Sequence, residues 1–538
     1  MFRFSVFTRS AILVGALSLG TVAGFGPAPA TAQVTAFKQA VAEAAARDDD
    51  VAAFYRANNY APIWTGASEQ NRARRAELMR AITSAASHGL PVSRYDPEGL
   101  MAQLRAVRST RDRGLAEVAM TKVFLQYARD IQTGVINNPI SIDSGIVRKI
   151  PHRERGAYLR GLVNARPPAF FRALPPRSME YNALLKEKVE MEALLDQGGW
   201  GPTVPASKLQ EGDRGAAVVA LRNRLIAMGY LGRSNTMVFD DTIKDAVQQF
   251  QIAHGLNADG TAGAETMKQI NVGVAERLTS VMVALERERW FNTERGKRHV
   301  LVNIPDFSAK IIDDGKVTFQ TRSVVGARKD GRMTPEFSDV MEHMEINPSW
   351  YVPRSIVTKE YLPSMQRNRN AAGHIVITDR RGRKVPRSAI NFGAYNARNF
   401  PFAMHQPPSK TNALGLVKFM FPNKYNIYLH DTPAKSLFQR DVRAFSHGCI
   451  RLAQPFEFAY ALLAVQEDDP KGVFQAALKT GRTVKKVLDE QVPVHLIYRT
   501  AVTNARGHTE YRADIYGRDA KIWAALSRAG VALGDVRG

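Results

Sequence analysis

From about residue 298 the hydrophobic period of this 538-residue chain shortens, and that change limits the architectures open to it. Upstream, "AFKQAVAEAAARDDDVAAFYRANNY" (36–60) and "AEVAMTKVFLQYARDIQTG" (116–134) place apolar residues three and four apart, the spacing of one helix face. Downstream, "HVLVNIPDFSAKIIDDGKVTFQTRSVVG" (299–326) alternates, is rich in β-branched side chains and turns at Asp314-Gly315, which predicts strands and hairpins. Helices followed by strands, over a length that one hydrophobic core does not normally serve, predict a multidomain α+β protein of three or four domains.

Residues 33–200 read as a helical scaffold domain, punctuated by Pro and Gly at "APIWTG" and "HGLPVSRYDPEGL" and carrying no chemical constellation. A Gly/Pro stretch (198–215) leads into a small three-helix module at 205–275. Val218, Leu221, Leu225 and Met228 mark its first helix, which stops at Gly229; Ile243, Ala246, Val247 and Phe250 mark the second, after "FDDT". "ADGTAGAETMKQIN" (258–271) supplies a turn and the third. A mainly-β region spans 297–500, interrupted at about 355–400 by helical, basic segments that read as a lid-like insertion over the sheet. Strands resume at "GLVKFMF" (415–421) and "KYNIYLHDT" (424–432), and "PFEFAYALLAVQ" (455–466) reads as a helix opened by Pro455. "VPVHLIYRTAVT" (492–503) and "RADIYG" (512–517) predict a last hairpin, and 501–538 a C-terminal hairpin and tail.

Residues 1–32 have the pattern of a cleaved export signal: Arg3 and Arg9, an apolar core at 11–25, and Ala30-Thr31-Ala32 before Gln33. No later stretch reaches about 18 uncharged apolar residues, so the expectation is a periplasmic protein with no stable membrane anchor. Formal charge is +23, and the signal holds two Arg and no acid, which leaves +21 on the exported part. Such a balance favours anionic lipid or acidic wall polymer; export sets nucleic acid aside as a partner. Residues 354–400 hold ten Lys/Arg against Glu360 and Asp379, with Arg380, Arg381, Arg383 and Lys384 as the densest run. That run is either a solvated surface or a binding face.

The chain has one cysteine, Cys449, within "RAFSHGCIRL" (443–452). Thiols in oxidising compartments usually pair. An unpaired one is a buried inert thiol, an intermolecular disulfide, a metal ligand or a nucleophile. Alternation along "NKYNIYLHDTP" (423–433) puts Tyr428 and His430 on one strand face, and the 19 residues from His430 to Cys449 let the chain return beside it. An imidazole can take a thiol's proton or stabilise the thiolate. Gly448 permits an unusual dihedral, backbone N–H groups at such a turn can donate to an oxyanion, and Arg451 can orient a carboxylate or carbonyl. His430, His447, Cys449 and Asp431 are also a possible zinc set, although H-x-C is not a usual zinc spacing.

"YLHDTP" followed after a loop by "SHGCIRL" resembles the signature of the L,D-transpeptidases, cysteine enzymes of bacterial cell-wall crosslinking. "LQEGDRGAAVVALRNRLIAMGY" with "VFDDTIKDAVQQFQIAHGLNADGTAG" resembles a peptidoglycan-binding domain, and the order of parts is similar to the large, scaffold-bearing members of that family. "INPSWYVPRSI", "TPEF" and "DIYGRD" match more loosely, and Trp350 reads as ordinary packing. The resemblance implies Cys449 as nucleophile, His430 as general base, His447 as support of the cysteine turn, Arg451 as a holder of site or substrate, and Ser446 as a supporting hydroxyl. It makes the Gly448 and Cys449 N–H groups and the Tyr428 hydroxyl candidate oxyanion donors, and Arg380, Arg381, Arg383 and Lys384 candidate lid contacts to stem carboxylates. The implied reaction releases D-alanine from a tetrapeptide donor through a thioester and forms a 3→3 crosslink, with no cofactor and no metal. The implied partners are peptidoglycan stem peptides and glycan, with other cell-wall enzymes beside them. A non-catalytic wall-binding scaffold and a zinc-dependent amidase or peptidase are the competing classes.

Overall fold

The computed structural model describes residues 35–329, 331–504 and 509–533, so the export pattern at 1–32 lies outside the described residues. Strand β1 (Arg298–Asn303) pairs antiparallel with β2 (Ser308–Asp313), and β2 turns directly into β3 (Lys316–Gly326). Asp314 and Gly315 between them both take positive φ, 47° and 78°, as a primed two-residue turn requires. After β4 (Phe337–Ile346), the insertion contributes β5 (Trp350–Tyr351), β6 (Val376–Thr378) and β7 (Ala403–Gln406), and the main sheet resumes with β8 (Val417–Met420). There follow β9 (Leu429–His430), β10 (Ala444–Ser446), β11 (Ile450–Leu452) and the long β12 (Val484–Ile497).

Among the described residues nine of these strands form one mixed sheet in the order β10-β3-β11-β9-β8-β4-β12-β1-β2, and an added β2–β3 pairing closes that order on itself. Closure leaves few open strand edges, and the enclosed face packs Val302, Ile311, Met344, Phe419, Leu429 and Ile450 against Phe458 and Leu462 of helix Pro455–Leu463. β4 and β8 are neighbours, with Ile346 opposite Val417, so the insertion leaves and re-enters the sheet at one point. It therefore begins before and ends after the 355–400 segment. Its residues Val352, Ile356, Leu362, Met365, Ile377, Phe392, Phe400 and Met404 build a separate small core over a three-stranded sheet, β5-β7-β6.

Two sequence expectations change. The strand expected over 424–432 is reduced to β9, because the Asn423 side-chain oxygen accepts from the Tyr425 and Ile427 N–H groups and Asn426 takes φ 54°. A side chain that satisfies its own downstream backbone makes a turn and withholds those donors from a ladder. The last hairpin pairs β13 (Ala501–Thr503) with β14 (Thr509–Tyr511) and ends where the Arg512 N–H donates to the Thr500 carbonyl, leaving 513–517 outside the ladder. There the Asp514 carboxylate accepts from the N–H groups of Arg518 and Asp519 and opens helix Arg518–Arg528.

The helical regions are built on two long elements. Helix Thr110–Thr133 starts on a Ser109/Asp112 capping box and buries Phe124, Tyr127 and Ile131. Helix Val274–Trp290, which follows the three-helix module, buries Leu278, Val281, Leu285 and Trp290 in the same core, joined by Tyr511 of β14 and by Ile522 and Leu526 of the C-terminal helix. The module itself, helices Ala216–Ala227, Asp241–Ala253 and Ala264–Ile270, closes a separate core on Leu221, Leu225, Ile243 and Phe250. Among the described residues no helix is long and apolar enough to cross a membrane.

Candidate active site

Parallel pairing of β9 with β11 sets Leu429 beside Ile450 and His430 beside Arg451, and the Ile450 N–H donates to the Tyr428 carbonyl at 3.1 Å. Strand alternation then sorts the side chains. Leu429, Ile450 and Leu452 enter the sheet's core, while Tyr428, His430, Cys449 and Arg451 share the opposite face and line a cavity of about 580 Å³. Cys449 stands across from Tyr428, with His430 as its diagonal neighbour; the Tyr428 and His430 rings are 5.6 Å apart. The insertion supplies the other wall through Trp350, Tyr351, Arg354, Glu360 and Tyr361.

The turn that presents the sulfur is fixed from both sides. Gly448 takes φ 116°, where a side chain would strain the backbone, and its N–H donates to Ser446 Oγ at 3.0 Å. Ser446 Oγ in turn donates to the Cys449 carbonyl at 2.6 Å, and Thr334 Oγ1 donates to the Gly448 carbonyl at 2.8 Å. The Gly448 N–H is thus engaged within the turn, which removes it from the candidate oxyanion donors. Among the described residues the Cys449 N–H has no partner.

Cys449 is half-buried, and its thiol lies 3.4 Å from the Asn426 carbonyl. Burial pushes the thiol up to about 11, against opposing pulls from Tyr428, Arg451 and Lys418. Burial first, and the Arg451 guanidinium second, push His430 down to about 3. The resting pair is a neutral thiol and a neutral imidazole. His430 Nδ1 faces the Asp431 carbonyl, which can only accept, so Nδ1 carries the proton and Nε2 keeps the lone pair. The Arg451 side chain makes no hydrogen bond or ion pair with any described residue, and its Nε is buried without a partner.

His447 lines the same cavity and is engaged by the insertion. Its Nε2 lies 2.6 Å from Glu360 Oε1, the same oxygen that takes Arg332 Nη2 at 2.5 Å, so the imidazole ties the cysteine turn to the insertion. Glu360 sits in a single π-helical stretch, Val357–Tyr361, a distortion that recurs at functional sites. Arg380, Arg381, Arg383 and Lys384 lie exposed on the turn after β6, Arg383 bridges Asp379 at 2.8 Å, and none of the four lines the cavity. Arg354 and Arg451 are the arginines that do. Trp350, read as packing, lies on the cavity wall with its side chain at the Tyr428 hydroxyl. The only signal for it was its place in the loosely matching "INPSWYVPRSI". Glu360 and Arg332 carried no signal, because their partners are 87 and 28 residues away in sequence.

Residues 297–484 match the YkuD family, the L,D-transpeptidase catalytic domain. The chain carries an L,D-transpeptidase domain. Residues 214–270 match the family described as a "Putative peptidoglycan binding domain", and 49–187 match a scaffold domain. A Haemophilus influenzae protein named "Putative L,D-transpeptidase" is 31% identical over 227 residues, covering 41% of this chain and 45% of that one. The match thus spans less than half of that relative's length. Crystal structures titled as L,D-transpeptidases from Xylanimonas cellulosilytica and Stackebrandtia nassauensis are each 16% identical, cover 55% of this chain and 98% and 97% of theirs, and have TM-scores of 0.19 and 0.22, too low to carry an argument. Within the L,D-transpeptidase domain, the matched stretch contains all four side chains of the cavity floor.

Proposed function

We propose that the chain is a peptidoglycan L,D-transpeptidase that acts outside the cytoplasm and forms 3→3 crosslinks through a thioester on Cys449. The observation that carries this reading is the shared face of β9 and β11, where a thiol, an imidazole with a free lone pair, a phenol and an unpaired guanidinium meet in one cavity.

With both partners neutral at rest, the thiol is activated as it attacks. His430 Nε2 takes the thiol proton while sulfur bonds to the carbonyl carbon of the third stem residue. The electron pair moves to oxygen, towards the Cys449 N–H and the Tyr428 hydroxyl. Collapse breaks the C–N bond, His430 returns its proton to the departing amine, and D-alanine leaves. The side-chain amine of a second stem then attacks the thioester, gives up a proton to His430 and expels the thiol. Arg451, without a carboxylate partner among the described residues, is suited to hold one on the donor stem. The 214–270 module would keep the polymer near this site.

Mass spectrometry of the protein mixed with a disaccharide-tetrapeptide tests the reading. The expected adduct is the donor less alanine, present on the native chain and absent from Cys449→Ala. The same adduct on Cys449→Ala, or none on either, would overturn it.

A further inference from the structure

A second cavity, about 410 Å³, lies on the seam between the three-helix module and the β-rich domain. The seam is a fixed contact. The Asn257 N–H donates to Asp441 Oδ1 at 2.9 Å, its carboxamide donates to the Gln439 carbonyl at 3.1 Å, and Arg512 Nη1 donates to the Ala253 carbonyl at 2.7 Å. Arg512 is neutralised by Asp306 and Glu510. Two other arginines on the cavity wall are not. Arg443 is 6% exposed, stacks over Phe307 with its guanidinium 5.1 Å from the ring centre, and donates from Nη1 alone to backbone carbonyls. Its Nε is buried without a partner, and no carboxylate pairs with it among the described residues. Arg322, exposed at the rim, makes one long bond to the Phe438 carbonyl, 3.3 Å. Burial, and then the Arg322 guanidinium, push Arg443 down to about 10, against opposing pulls from Asp306 and Asp441. Asp306, the carboxylate on this wall, is paired with Arg512, so among the described residues neither Arg322 nor Arg443 has an ion-pair partner across the cavity. Gln320 and Gln454 add amide groups to the same wall.

We infer that this seam cavity is a second polymer subsite, in which Arg322 and Arg443 hold the carboxylate of a peptidoglycan stem peptide while a neighbouring stem on the same strand occupies the cysteine cavity. The inference rests on the proposed wall-polymer substrate. Five residues lie between Arg443 and Cys449, so their Cα atoms are no more than about 22 Å apart. Two linked stems would engage both sites at once, and the second binding event would then be intramolecular. An acidic peptide fits better than a neutral sugar because a buried guanidinium without a paired carboxylate carries an electrostatic cost that a bound carboxylate reduces.

The test uses the full chain carrying Cys449→Ala, so that binding is measured without turnover, with a one-stem disaccharide-tetrapeptide and a two-stem tetrasaccharide as probes. The two-stem probe is expected to bind at least tenfold more tightly. Arg322→Glu, at an exposed position, and Arg443→Met are each expected to abolish that gain, as is methyl esterification of the stem carboxylates. Thioester formation on the one-stem donor, measured on chains that keep Cys449, should be unchanged by either substitution. Equal binding of both probes, or a gain that survives Arg322→Glu, would overturn the subsite. Loss of thioester chemistry alone would overturn the proposed reaction and leave the binding result standing.

Discussion

Two regions of the molecule bury arginines, and they treat them in opposite ways. At the junction between helix Val274–Trp290, the start of β4 and the C-terminal helix, Arg287 pairs with Glu336 and Asp519, Arg518 with Glu336 and Asp143, and Lys521 with Asp143. Three cations face three carboxylates, and even there the Nε of Arg287 has no hydrogen-bond partner, while Arg518 Nε lies 3.5 Å from Asp143 Oδ1. On the floor of the cysteine cavity Arg451 is half-buried, its Nε is enclosed, and it has no carboxylate partner among the described residues. A buried charge left alone costs several kcal/mol unless something compensates it. The junction supplies its own compensation and is structural. The cavity leaves the position open, and an anionic ligand is the natural occupant. The two are also connected, since Arg518 donates to the Thr334 carbonyl and Thr334 holds the Gly448 carbonyl of the cysteine turn.

The sharpest way to break this contrast is to remove one charge from each region. Glu336→Gln strips Arg287 and Arg518 of their shared carboxylate and is expected to destabilise the fold by about 3–5 kcal/mol, read by urea or thermal unfolding. Arg451→Gln removes a charge with nothing to lose, so stability should hold within about 1 kcal/mol or rise. Its effect belongs to catalysis: kcat/KM for the donor should fall about 100-fold, or about 2.7 kcal/mol of transition-state stabilisation. If Arg451→Gln unfolds the protein as Glu336→Gln does, the distinction between the two regions fails.

The junction and the cavity also differ in how much of them the sequence announces. The Asp314-Gly315 turn, the two first module helices and the SHGC turn are local features, and each stands where local chemistry put it. The face shared by Tyr428 and His430 survives although the strand does not, because two residues of β9 are enough to set the alternation. What the sequence hid is what long-range pairing creates. Nothing local marks Glu336, Asp519 and Asp143 as buried partners; their pairing arises only where the start of β4, the C-terminal helix and the loop at 143 converge. The partner of His447 was hidden for the same reason: Glu360 comes from the insertion. Arg380 to Lys384 drew notice as a dense run, yet charge density along a chain says nothing about which turn faces a cavity.

The titration of the cavity offers a third and smaller effect. With the thiol at about 11 and the imidazole at about 3, thiol and neutral imidazole coexist across the whole neutral range, so kcat/KM should be flat between about pH 5 and 9. A resting thiolate–imidazolium pair would instead place a limb inside that window. Stability has two limbs. Between pH 6.5 and about 3 the unfolded chain binds a proton at His430 that the folded chain refuses, so stability falls as the pH drops; His430→Gln should flatten that limb. Between about 9 and 11 the folded chain keeps the Cys449 proton that the unfolded chain releases, so stability falls as the pH rises; Cys449→Ala should flatten that one.

The smallest expected effect separates the insertion's clamp from the buried junction. Glu360, Arg332 and His447 are each about one-third exposed (38%, 30% and 33%), where paired charges contribute about 0–1 kcal/mol. Glu360→Gln should therefore change unfolding stability by less than about 1 kcal/mol, while loosening the insertion raises KM for the donor a few-fold and leaves kcat nearly unchanged. Added salt should weaken the native clamp in the same direction and have little further effect on the variant, because screening acts on exposed pairs and spares buried ones. A stability loss as large as that of Glu336→Gln would mean that the clamp, like the junction, holds the fold together. The insertion would then be a fixed wall of the cavity, held there by the same kind of pairing that locks Arg287 and Arg518 in place.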